Sequence, residues 1–113
     1  MTACLTGVIL CCNIINVDAG GHVVEHKDIS SVVPGYKKYN LSVHAVAGIS
    51  NITTADQLSL VIKGIPNLVN WATAAGVDGL VVDYEPKDHC TYTESHAANY
   101  AEFLSRLTAA MHK

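Results

Sequence analysis

The chain has 113 residues, 50% of them hydrophobic and 15% charged, with a formal charge of -3 at pH 7. That length allows one domain, and the composition can bury a core rather than remain a disordered tail. The basic residues are outnumbered and unclustered beyond Lys27, Lys37 and Lys38. This argues against a nucleic acid or an anionic membrane as an electrostatically held partner.

No stretch reaches the roughly 18 consecutive apolar residues of a membrane span. Met1 to Cys12 is apolar, but it lacks a basic leading region and continues through Asn13-Ile14-Ile15 without a convincing cleavage site. A buried strand is the better reading than a secretion signal. Thr6 to Ile15, rich in Val, Ile and Leu, is too apolar for a one-sided sheet and is expected to be buried on both faces. Cys4, Cys11 and Cys12 then read as small buried hydrophobes. The sequons Asn40-Leu41-Ser42 and Asn51-Ile52-Thr53 leave the compartment open.

Asp18-Ala19-Gly20-Gly21 signals a turn, with Val23 and Val24 as a short extended piece after it. Asp28 is expected to cap a short helix ended by Pro34-Gly35. A second strand covers Leu41 to Ala47, closed by Gly48. Thr54 and Gln57 are spaced as a capping box. Leu58, Val61, Ile62, Ile65, Val69 and Ala72 follow on one helical face, which Pro66 should split near Gly64. Gly76 sits where a helix end wants a left-handed residue. Gly79 to Tyr84 is the third strand. Thr91 and Glu94 suggest another capping box, before a helix whose apolar face is Tyr100, Phe103, Leu104, Leu107 and Met111. The order predicts an α/β fold with parallel strands, a piece of a doubly wound sheet or of a (β/α)8 barrel. A complete barrel takes about 250 residues. Residues 1–113 are therefore expected to be a single fragment of such a domain.

The stretch Asp78-Gly79-Leu80-Val81-Val82-Asp83-Tyr84-Glu85-Pro86 carries the chemistry. Alternation puts Val81, Asp83 and Glu85 on one face, with the two acids roughly 7 Å apart along the strand. They lie at its C-terminal end, where parallel α/β folds place their sites. Like charges this close favour one protonated carboxyl, able to act as a general acid. The plain alternative is that two acids merely solvate a strand end.

Asp78 to Glu85 resembles the active-site strand of glycoside hydrolase family 18, the chitinase-like barrels, whose pattern is D-G-x-D-x-D-x-E. Asp78, Asp83 and Glu85 match three of its acids, and Val81 stands at the fourth. Ala45-Val46-Ala47-Gly48 lies where the family carries S-x-G-G, with only the last Gly kept. The chain looks nearest the di-N-acetylchitobiase-like branch, where the middle acid is also replaced, and would cover strands two to four of the barrel. The resemblance implies a glycosidase acting on β-linked N-acetylglucosamine oligosaccharides with retention, the substrate's own N-acetyl carbonyl serving as nucleophile. Glu85 would be the acid and Asp83 the group that holds the acetamido N–H and stabilises the cationic intermediate. Asp78 and Gly79 would be structural, at the turn after Gly76. Val81 cannot share a proton, which favours weak activity or a non-catalytic carbohydrate-binding protein instead. The family implies no cofactor, a secreted or lysosomal setting, and the rest of the barrel as a partner.

Other residues invite plainer readings. Asp88-His89-Cys90 lacks the three or four spaced ligands of a zinc site, so no metal is expected. His44 reads as a core or barrel-interior histidine, and His22, His26, His96 and His112 as solvent-facing. Ser42 and Ser50 lack a nucleophile elbow. Trp71 and Tyr84 read as packing residues, and Tyr92 as a surface on which a sugar ring would stack. An unrelated small α/β domain that binds no sugar is the remaining alternative.

Overall fold

The computed structural model describes residues 6–85 and 94–112. Strand β1 (Gly7–Val17) is followed by β2 (Val23–Glu25), helix α1 (Val33–Lys37), β3 (Ser42–Ile49), α2 (Ala55–Lys63), α3 (Ile65–Ala75), β4 (Gly79–Asp83) and α4 (Glu94–Met111). The sheet order is β2-β1-β3-β4. β3 runs parallel to both β1 and β4, and short β2 folds back antiparallel on β1.

Local chemistry accounts for the helix ends. The Gln57 amide N–H donates to Thr54 Oγ1 at 3.1 Å, while Gln57 Oε1 accepts from the Thr54 N–H, so the capping box forms and starts α2. Gly64 ends α2 and precedes α3, whose first turn holds Pro66, where the missing N–H costs no bond. Gly76 caps α3 at φ 79°, a left-handed conformation that a side chain would strain.

One sheet face is covered. Along β3, Val43, Ala45, Ala47 and Ile49 are buried while the residues between them are only partly so. The core joins this face to Val61 of α2, Ile65 and Leu68 of α3, and Phe103 and Leu107 of α4. The opposite face carries no helix among the described residues. That face corrects the expectation for β1: Ile9 is 63% exposed, and Cys11 and Cys12 are exposed rather than buried. The strand is apolar on both sides because it has the composition of an interior strand, yet only its helix-facing side is packed here.

Four smaller corrections follow. Pro34 stands in the first turn of α1 and does not end it. Asp28 closes a turn instead of capping that helix, its Oδ1 accepting from the Ser30 N–H at 2.9 Å and the Ser30 hydroxyl at 2.6 Å. His96 is buried at 5% exposure because it lies on the first turns of α4 that pack inward. Gly48 also lies inside β3, which runs on to Ile49.

Candidate active site

β4 is anchored at its start. Asp78 Oδ2 accepts from the Val43 N–H at 2.7 Å, the Asp78 N–H donates to the Val43 carbonyl at 2.7 Å, and Lys37 Nζ donates to Oδ1. One carboxylate thus ties α1, β3 and β4 together. A Cβ on Gly79 would stand 2.7 Å from His44 Cδ2, so the imidazole of β3 lies over the bare backbone of β4.

The Lys37 hydrogen bond and then the Val43 N–H hold the Asp78 carboxyl below its usual range. A depressed carboxylate stabilises the fold above its unfolded pKa, near 3.9, and loses that contribution as pH falls through the folded value. Asp78→Asn is therefore expected to flatten the acid limb of a melting-temperature profile below about pH 4. An unchanged limb would assign acid sensitivity to Asp18 and Asp28, whose carboxyls are also depressed, by hydrogen bonds from His22 and Ser30 respectively.

From Val81 onward the strand alternates as its period demands. Val81 and Asp83 are exposed on the helix-free face and Glu85 is exposed just beyond the strand, while Leu80, Val82 and Tyr84 are half-buried against the core. The Tyr84 and Tyr100 rings lie 5.2 Å apart, and Tyr84 Oη accepts from the Ile52 N–H at 3.3 Å. The Asn99 amide donates to the Ile52 carbonyl at 2.6 Å, so α4 and the loop after β3 brace the end of β4. The two acids therefore extend from a strand fixed on its other face.

Neighbouring strands complete the surface. Asp83 pairs in register with Gly48 of β3, and Gly48 with Asn16 of β1. His26 Nε2 donates to Asn16 Oδ1. The register of β1 against β3 breaks between Leu10 and Ile15, a bulge of the kind that re-aims side chains beside functional sites. Cys11 and Cys12 lie in that bulge. The Cys12 thiol pKa is raised, first by a hydrogen bond with Cys11, then by desolvation and by the negative charge of Asp83 among smaller effects. Alkylation of Cys12 by iodoacetamide is accordingly expected to be slow at pH 7 and to accelerate above pH 9, followed by peptide mass analysis. Equal rates at both pH values would contradict this.

Tyr92 and the Asp88-His89-Cys90 cluster lie outside the described residues. Among the described residues, no group of three His, Cys, Asp or Glu side chains is placed to hold a metal ion. No described helix is long and apolar enough to cross a membrane. A cavity of about 350 Å³ opens between β4 and α4 and is lined by His44, Leu80, Val82, Leu104, Leu107 and Met111 among others. Neither Asp83 nor Glu85 touches it. It lies along the edge of β4, where a further parallel strand packs in a closed barrel.

No family model matches the sequence, and no curated protein matches it. Among solved structures, the chain is similar to a chitinase from Rhizomucor miehei, with a TM-score of 0.73 and 17% sequence identity over 95% of this chain. The fold is that of part of a chitinase barrel. The chain spans 32% of that chitinase, so the match covers about a third of the larger protein. At this identity the likeness is one of backbone, and it accounts for a mostly parallel sheet with helices on one face.

Proposed function

We propose that the chain is the part of a family 18 glycosidase that carries the catalytic strand, acting on β-linked N-acetylglucosamine oligosaccharides and nearest the chitobiase branch. The observation that carries this reading is the exposure of Asp83 at the C-terminal end of β4, and of Glu85 just beyond it, in a chitinase-like fold. Glu85 protonates the glycosidic oxygen as the bond to the leaving sugar breaks. The acetamido carbonyl oxygen attacks the anomeric carbon, and Asp83 stabilises the positive charge that develops on that group. Water then opens the intermediate with Glu85 as base, so configuration is retained. Tyr92 supplies a stacking face for a sugar ring, and the remaining strands of a barrel are the partner that closes the site.

The test is a ¹⁵N–¹H correlation spectrum with and without chitobiose or chitotriose, paired with a hydrolysis assay. Shifts around Asp83 and Glu85 together with turnover support the glycosidase. Shifts without turnover support the second reading, a non-catalytic carbohydrate-binding protein. Val81 favours that second reading, because it pairs with Val46 and puts two apolar side chains beside the acids. A dispersed spectrum indifferent to the sugar would remove both.

Val81 also supplies a gain-of-function prediction. It is 38% exposed, so Val81→Asp buries no charge. The added carboxyl would stand between Gly79 and Asp83 and share a proton with Asp83. Turnover of chitotriose is expected to rise by roughly tenfold, less than the roughly 10²- to 10⁴-fold of a full acid–base contribution because Glu85 remains the proton donor. No gain would remove Val81 as the reason for weak activity.

A further inference from the structure

Adjacent residues of a regular strand point to opposite faces, so a Cys–Cys pair there holds its two sulfurs apart. β1 departs from that rule where its two cysteines fall. Cys11 to Ile14 stand opposite Val46 alone, because the register jumps from Leu10–Ala45 to Ile15–Ala47. Asn13 turns the chain inside this bulge at φ 56°. Cys11 and Cys12 are both exposed there, and their thiols are hydrogen-bonded to each other.

Two thiols in contact can close a bond directly or hold a third atom between them. The direct disulfide fits poorly. Neighbouring Cα atoms are at most about 3.8 Å apart, whereas ordinary disulfides join Cα atoms about 4.4 to 6.8 Å apart. An atom inserted between the sulfurs lengthens the link and removes that misfit. The hydrogen bond already places one proton in that position. A soft monovalent cation suits the same place, since a coordinating thiol gives up its proton outright.

Ligand type and number identify the cation. Among biological metals, thiolates select Cu(I), zinc and iron–sulfur clusters. Structural zinc sites and the clusters take four protein ligands. Among the described residues, no third His, Cys, Asp or Glu joins the pair. Cu(I), with a filled d shell, is satisfied by two thiolates. The resulting unit carries one negative charge, which the field of Lys27 favours at Cys12 and the weaker field of Asp83 opposes.

We infer that Cys11 and Cys12 form a two-sulfur site for Cu(I) on the bulge of β1, binding one ion per chain. Each thiol releases its proton to solvent as its sulfur bonds to copper, and nothing is oxidised or reduced. Sugar chemistry at β4 plays no part in it.

The experiment is an anaerobic competition between the full chain and bicinchoninate for Cu(I), read from the absorbance of the copper–bicinchoninate complex. The proteins are the parent, Cys11→Ser, Cys12→Ser and a chain carrying both Cys4→Ser and Cys90→Ser. The parent is expected to withdraw one equivalent of copper. Changes outside the ligand shell cost a metal site about 10- to 100-fold, so loss of a bonded sulfur should cost more than about 100-fold in Cys11→Ser and in Cys12→Ser. The chain lacking Cys4 and Cys90, which lie outside the described residues, should hold copper as the parent does. X-ray absorption of the copper-loaded parent decides the matter should the serine variants unfold, and it should show two sulfur neighbours. Native mass spectrometry should show one chain per copper. A parent that withdraws no copper, parent-like affinity in a folded Cys11→Ser or Cys12→Ser, nitrogen neighbours, or an ion shared between two chains would each overturn the site.

Discussion

Glu85→Gln is expected to lower hydrolysis of chitotriose by about 10²- to 10⁴-fold while leaving its dissociation constant within a factor of three or so, the signature of a lost general acid. The amide keeps the size of the carboxyl and can still hydrogen-bond, but it has no proton to deliver to the departing oxygen. Glu85 is exposed just beyond β4, so the substitution removes no packing and leaves the fold intact. Asp83→Asn provides the contrast, because its side chain retains an acceptor for the acetamido N–H while losing the charge that, in the proposed mechanism, stabilises the intermediate. Its effect should fall mainly on turnover too, but with a weaker pH dependence. Parallel measurement of kcat and binding separates these cases. Glu85→Gln with unchanged turnover would place the acid elsewhere and leave Glu85 as a solvated strand end.

The features legible in the sequence are those whose cause is local. The Thr54–Gln57 box, the break at Gly64 before Pro66 and the left-handed cap at Gly76 each depend on a few consecutive residues, and each forms as expected. The alternation of β4 is likewise a property of five or six neighbours, and it put Asp83 and Glu85 on one face before any fold was known. β1 shows where that reasoning fails. A continuous run such as Val8-Ile9-Leu10-Cys11-Cys12 has no period to distinguish a packed face from an interior face left open. Its bulge opposite Val46 exposes two thiols that composition alone marks as core. Asn16 and His26 were illegible for another reason. Their contact crosses the β1–β2 turn, and their relation to Asp83 exists only through the register of β3. The same holds for Asp78, whose partners Lys37 and Val43 are 41 and 35 residues away.

Gly21→Ala should be the most damaging small substitution in the described chain. Gly21 is buried in the turn between β1 and β2 and adopts φ +80°, where a side chain is strained in itself. The added Cβ would stand 2.1 Å from the Leu60 carbonyl oxygen, a backbone atom of α2 that cannot rotate away. Relief requires the turn to lift from the helix, and the junction beyond resists this. A Cβ on Gly64 would in turn meet the Gly21 carbonyl oxygen at 2.6 Å and Val17 Cγ1 at 2.8 Å, so the two glycines mark one close approach of turn and helix break. Lifting the turn would also disturb β2, which brings Glu25 to the Trp71 indole N–H at 3.1 Å, and the segment that carries His26 to Asn16. The combined strain and displacement are expected to cost on the order of 3 kcal/mol, or about 10 °C in Tm for a domain of this size. Gly20→Ala is the control. Its Cβ would meet the His22 ring at 2.8 Å and Asp18 Oδ1 at 3.5 Å, the latter an ordinary contact, and the exposed His22 side chain can swing aside. Thermal melts of the two variants should differ by most of that shift. Equal melting temperatures would mean that the turn is not pinned to α2, and that His26 reaches Asn16 without its support.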